Sequence, residues 1–176
     1  MTGLRPGHCN SKVERSYTRK SKFKAKGYIK AVPNSKLVRY DMGDSKKDFA
    51  MTVHLITRQP IQLRHNALES SRMVVNRHLH KLLGNNYFFK VRVHPHQVIR
   101  ENKMLTGAGA DRMSQGMQLS FGRAAGIAAR LINNQCIFSV KVDKEHVNAA
   151  KAALSRAPPR LPGKYLIEVE NLKPSK

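Results

Sequence analysis

The stretch MTVHLITRQPIQLRHNALESSRMVVNRHLHKLLG, residues 51–84, decides the fold class. Met51, Val53 and Leu55 alternate with Thr52 and His54, the two-residue period of a half-buried strand. Ile61 and Leu63 alternate with Gln62 and Arg64 and make a second strand. The period then changes. Leu68, Val75, Leu79 and Leu82 fall on one face of a helix. Asn66, with Glu69 three residues on, has the form of a cap and capping box, and Gly84 is placed to end the helix. Two strands in quick succession followed by one helix point away from a strand–helix alternation.

The same reading extends downstream. Tyr87, Phe89, Val91 and Val93 alternate with Phe88, Lys90 and Arg92, a strand with one basic face. From Asn102 to Met117 the periodicity disappears among Gly107, Gly109 and Gly116, so 102–117 is expected to be a loop. Loops of this length inside a compact domain are uncommon and usually functional or disordered. Ile127, Ala129 and Leu131 alternate again, Asn133-Asn134 offers a turn, and Cys136, Phe138, Val140 and Val142 complete an expected hairpin. Asp143 is placed to cap a second helix with Val147, Ala150 and Leu154 facing inward, ended by Pro158-Pro159. Tyr165, Ile167 and Val169 form a last strand. The expected order is β-β-α-β-loop-β-β-α-β, an α+β fold with a mixed or antiparallel sheet and two helices.

Upstream, residues 1–36 differ. They hold ten basic residues (Arg5, Lys12, Arg15, Arg19, Lys20, Lys22, Lys24, Lys26, Lys30, Lys36) and one acid, Glu14. Tyr17, Phe23 and Tyr28 are interleaved with the charges, and such rings can stack on bases or riboses. This segment reads as an extended basic arm that orders against a partner. The domain would then run over 37–172, with 173–176 as a tail.

Lys and Arg number 33 against 11 Asp and Glu, a formal net charge of +22 on 176 residues. Such a surplus repels itself unless a polyanion neutralises it. A membrane is a poor match: no stretch approaches the roughly 20 apolar residues of a spanning helix, and the first residues lack a secretory apolar core. A mitochondrial transit peptide shares the arm's composition. Two cysteines, Cys9 and Cys136, cannot make a disulfide framework or a CxxC zinc pair, so a reduced, cytoplasmic setting is the default. Cys136 reads as a small buried apolar residue of a strand. Nucleic acid is the remaining polyanion. No spacing suggests reading of base edges, so RNA shape and backbone are the expected target.

Catalytic and cofactor readings are weak. Gly107-Ala108-Gly109-Ala110 would need a third glycine where Arg112 stands to be a dinucleotide cradle, and no Walker lysine follows. His94-Pro95-His96 has no third metal ligand in register, and His65, His78 and His80 are scattered on a helix and its entry, with His78 and His80 two apart and so on different faces. Asp111 beside Arg112 is one carboxylate without a nucleophile–base set. No enzyme, metal, cofactor or small-molecule substrate is expected. A free-standing RNA chaperone or tRNA-binding factor, and an RNA-modifying enzyme acting through Asp111, are the rival readings.

The run KVRVHPHQVIRENKMLTGAGADRMSQGM, residues 90–117, resembles the signature of the universal large-subunit ribosomal protein sixteen family, called ten-e in archaea and eukaryotes. SFGRAAGIAARL (120–131), LRHNALESSRMVVNRHL (63–79) and YTRKSKFKAKGYIKAVPNSKLVRYDMG (17–43) resemble its flanking segments in order. Arg5-Pro6-Gly7-His8-Cys9-Asn10 departs from the family's usual start. The resemblance implies an α/β-hammerhead-like core and a structural place in the large ribosomal subunit. The implied partners are large-subunit rRNA, 5S rRNA, neighbouring ribosomal proteins and aminoacyl-tRNA. It also implies that Asn102, Lys103, Met104, Gly107, Gly109, Asp111 and Arg112 face the peptidyl-transferase region. From charge and chemistry together, the expected RNA contacts are Arg5, Arg15, Arg19, Lys20, Lys22, Lys24, Lys26, Arg92, Arg100, Lys103, Arg112, Arg123 and Arg130.

Overall fold

The structure, a computed structural model, describes residues 5–15, 17–18, 23–27, 29, 31–102, 107–109, 116 and 121–172, without the side chain of Lys24. Eight strands and two α-helices lie among the described residues. They are β1 (Asp41–Gly43), β2 (Met51–Thr57), β3 (Ile61–Arg64), α1 (His65–Leu83), β4 (Phe88–Val91), β5 (Gln97–Glu101), β6 (Arg123–Leu131), β7 (Cys136–Val142), α2 (Val147–Leu154) and β8 (Tyr165–Asn171). They form two antiparallel sheets, a five-stranded one ordered β1-β4-β7-β2-β8 and a three-stranded one ordered β3-β6-β5. This is the expected α+β class, consistent with a hammerhead-like fold. Two short strands, β1 and β5, escape the expected order because each shows too few alternations to register.

One core serves both sheets. Val53, Leu55, Phe89, Phe138 and Val140 of the first sheet, Leu63 and Leu131 of the second, Leu68, Val75 and Leu79 of α1 and Leu154 of α2 are buried in a single cluster. Phe89 and Phe138 meet edge to face, with ring centroids 5.4 Å apart. The apolar stripe of α1 ends at the buried Leu83, while Leu82 is 48% exposed.

Three further expectations are corrected. The Asn133-Asn134 turn exists, with Asn134 at φ 59°, but β6 and β7 do not form a hairpin. The turn hands the chain from one sheet to the other and is tied instead to the end of β2: the Asn134 N–H donates to Thr57 O at 2.9 Å and the Thr57 N–H to Gln135 O at 3.0 Å. Asn66 does not cap α1. The helix begins at His65 directly after Arg64, with no side-chain cap, and the Asn66 Oδ1 is buried without a partner among the described residues. Glu69 pairs with Arg72 rather than reaching back to a cap. Asp143 likewise caps nothing through its side chain. It precedes a single 3-10 turn, and its carboxylate accepts from Lys47 Nζ at 2.8 Å.

Cys136 departs from the buried apolar reading. A register shift between Leu55 and Ile56 turns it out of the apolar face. Its Sγ lies 3.4 Å from His54 Nδ1 and 3.4 Å from Ser139 Oγ on the sheet face away from the core. Burial pushes its thiol pKa up.

Gly43 closes the sheet edge. Its φ is +87°, and a Cβ there would sit 2.1 Å from the Tyr87 carbonyl oxygen, which accepts the Asp44 N–H at 2.9 Å. Gly43→Ala is expected to lower unfolding free energy by roughly 1–3 kcal/mol from backbone strain, with the clash adding to it. Urea unfolding of the two chains measures the difference.

Candidate nucleic-acid interface

The arm lies along the second sheet. The Gln62 N–H on edge strand β3 donates to Ser11 O at 2.9 Å, and Gln62 Nε2 to Asn10 O at 3.0 Å. Asn10 Nδ2 donates to Glu101 Oε1 at 3.3 Å, and Gln97 Nε2 bonds Thr18 Oγ1. Alternation on β3 makes these contacts available: Ile61 and Leu63 turn to the core, while the amide of Gln62 and the guanidinium of Arg64 reach the arm.

Between arm and sheet is an open cleft of about 160 Å³ lined by His8, Lys12, Arg15, Gln62, Arg100 and Arg130, among others. Three of the expected RNA contacts, Arg15 from the arm, Arg100 from β5 and Arg130 from β6, therefore meet in one place. What holds Arg100 and Arg130 is uncharged. Arg130 donates to Gln62 Oε1 at 3.1 Å and to the Glu14 carbonyl. Arg100 donates to the Phe121 carbonyl, and neighbouring Arg64 donates to the Arg5 carbonyl at 2.7 Å. Backbone carbonyls and an amide orient these guanidiniums without cancelling their charge. Each guanidinium has five N–H donors, so donors remain for a bidentate phosphate contact.

The other described candidates lie elsewhere. Arg5 is exposed, with its carbonyl accepting from Arg64. Lys26 Nζ sits 5.2 Å from the Phe23 ring centroid and Arg15 Cζ 5.4 Å from that of Tyr17, so interleaved aromatics and cations do pair in the arm. Arg92 is on the first sheet's outer face, donating to Ser139 Oγ at 2.9 Å, with Lys90 and Lys141 on the neighbouring register positions. Arg123 begins β6 opposite Glu101. Sequence reasoning missed Lys12, Arg64 and Gln62. The signal for the latter two was present, since polar residues alternating along a short strand must face something other than the core.

The β5–β6 register fixes the loop's footing. Glu101 and Arg123 are paired, so both ends of the glycine-containing loop leave the sheet side by side. Asn102, Gly107, Gly109 and Gly116 are described, with Gly107 at φ +136° and Gly109 at +75°, backbone conformations that suit glycine. Lys103, Met104, Asp111 and Arg112, like Arg19, Lys20 and Lys22 in the arm, lie outside the described residues.

The family model described as Ribosomal protein L16p/L10e matches residues 13–168, from the arm at Val13 through the loop and into β8. The chain belongs to this family. It is 46% identical over 168 residues to the large ribosomal subunit protein uL16 of Methanococcus aeolicus, covering 94% of each chain. It is 48% identical over 161 residues to that of Methanococcus maripaludis, covering 90% of each. It is 42% identical over 173 residues to that of Staphylothermus marinus, covering 97% of this chain and 96% of the other. A member of the L16p/L10e family is a structural component of the ribosome, not an enzyme. Among the described residues no three His, Cys, Asp or Glu side chains group to hold a metal ion. The His-Pro-His run is engaged in other ways: His94 Nδ1 is 2.6 Å from Tyr40 Oη, and His96 Nδ1 is 3.1 Å from the His94 carbonyl oxygen. No described helix is long and apolar enough to cross a membrane.

The arm joins the domain at His65. The Lys36 N–H donates to His65 Nδ1 at 3.0 Å, which requires that nitrogen to be unprotonated. Burial, then the charges of Lys36 and Arg64, lower the imidazole pKa below its ordinary value. The unfolded chain therefore takes up this proton first as pH falls through about 6.5. Folding stability from this group is full above that value, declines below it, and stops declining once the folded imidazole is also charged. NMR titration of His65 should give a midpoint below about 6.5, with the Lys36 amide shift moving in step.

Proposed function

We propose that this chain is a structural constituent of the large ribosomal subunit that binds large-subunit rRNA through its arm and cleft. The observation that carries this reading is the cleft itself: Arg15, Arg100 and Arg130 converge there, Arg100 and Arg130 are oriented by neutral acceptors, and the chain has a net charge of +22. A folded RNA supplies closely spaced phosphates for such a surface, and the counterions it releases favour association. Arg5, Lys24, Lys26, Arg92 and Arg123, with Arg19, Lys20 and Lys22, extend these contacts to the RNA backbone. The arm over residues 1–36 serves as the outlying contact, and the domain over 37–172 as the platform.

The finer part of the reading concerns the loop over 102–117. Its ends are held together by the β5–β6 register. Its glycines allow backbone to approach RNA closely. Asn102, Lys103, Met104, Gly107, Gly109, Asp111 and Arg112 then face the aminoacyl-tRNA path and the peptidyl-transferase region, and peptide-bond chemistry belongs to the RNA. Neighbouring ribosomal proteins and 5S rRNA complete the surroundings in this reading.

Salt dependence tests the electrostatic part. Changing Arg15, Arg100 and Arg130 each to Gln should reduce the salt slope of rRNA-fragment binding by roughly 0.7–0.9 for each phosphate no longer neutralised. Neutralising Lys20, Lys22, Lys24 and Lys26 together should reduce it again. An unchanged slope after both sets removes the cleft and the arm from the interface. A chain that does not sediment with large subunits at moderate salt would favour a free-standing RNA-binding factor instead.

A further inference from the structure

We infer that the free edge of β8 docks an extended, Lys- and Arg-bearing segment of a neighbouring protein, added as a further strand; this rests on the chain's place in the large subunit. β8 is an edge of the five-stranded sheet and pairs with β2 without a register break from Met51↔Asn171 to Thr57↔Tyr165. No described strand pairs with its other side. The remaining edges are treated differently. β1 is three residues long. β3 is met by the arm through Gln62, and β5 through Gln97. β8 is left with seven residues, no proline and no bulge, the form of edge that accepts another strand.

Charge selects the occupant. Residues 165–171, YLIEVEN, hold two of the chain's 11 acids and none of its 33 Lys and Arg. The register places Glu168 opposite His54 and Glu170 opposite Thr52, so both carboxylates share the outer sheet face. The Glu170 side chain is 70% exposed, with its carboxylate 3.3 Å from His54 Nε2. On the same face Lys90, Arg92 and Lys141 stand on or beside β4 and β7. The sheet's outer face is thus basic on one side and acidic along β8. A polyanion gains at the first and is repelled at the second, whereas a basic strand finds backbone donors and acceptors together with opposite charge at β8. Val169, 37% exposed on the opposite face, offers an apolar contact to alternate side chains of the same strand.

Two measurements test this. First, the full chain is mixed with a ten-residue peptide of alternating Lys and Val, and amide exchange is read. The expected result is slowed exchange confined to 165–171. Binding should weaken at least tenfold when Glu168→Lys and Glu170→Lys are combined, and should be lost with a peptide N-methylated at alternate residues. No slowing at β8, or equal binding by the N-methylated peptide, overturns the proposal. Second, a photoreactive benzoylphenylalanine replaces Val169 in chains assembled into large subunits, and crosslinked fragments are identified by mass spectrometry. A Lys- and Arg-bearing protein segment is expected. Crosslinks to rRNA, to a segment without basic residues, or to nothing overturn the docking site alone. Failure of the chain to enter large subunits would instead overturn the reading on which the site rests.

Discussion

Positive charge that is oriented without being neutralised is the constraint on which the rest of this molecule depends. Four ion pairs are formed among the described residues, and none involves Arg15, Arg100 or Arg130. Arg100 and Arg130 are held through carbonyl oxygens and an amide, groups that fix geometry while leaving the net charge in place. A carboxylate in the same positions would stabilise the free chain and weaken its hold on a polyanion. Arg72 shows the contrast. That residue pairs with Glu69 on α1, away from the cleft, and serves the local helix surface.

The architecture follows from how the charge is carried. The five-stranded sheet and both helices build a core around Phe89, Phe138 and Leu154. The small second sheet shares that core through Leu63 and Leu131, and its polar side is free to receive the arm. Because β3 is an edge strand, its Gln62 N–H needs an acceptor, and Ser11 supplies one. The arm is thereby brought across β3 toward Arg100 and Arg130 on β5 and β6, and a segment with little to bury gains a defined position. The same sheet anchors both ends of the glycine loop, so arm, cleft and loop share one support.

Much of this was legible in residues. The alternation at Met51–Leu55 and the helical spacing through Leu68, Val75 and Leu79 correspond to observed elements, and Gly84 ends α1 with its N–H on His80 O at 3.0 Å. What failed has a common physical cause. Local patterns specify elements but not their partners, so the Asn133-Asn134 turn suggested a hairpin where the chain in fact changes sheets. Asn66 and Asp143 have cap chemistry, yet tertiary placement moved each helix start and gave their side chains other surroundings. Cys136 follows its strand's apolar alternation on paper, and one irregularity at Leu55/Ile56 reverses its face. The cleft was half legible: charge named Arg15, Arg100 and Arg130, but only the fold brings residues so distant in sequence together.

Electron cryo-microscopy of large subunits carrying this chain tests the central claim most directly. The account predicts rRNA phosphates within hydrogen-bonding distance of the Arg15, Arg100 and Arg130 guanidiniums, with the Glu14 and Phe121 carbonyl contacts retained. A cleft open to solvent, or one filled by protein carboxylates, would contradict it.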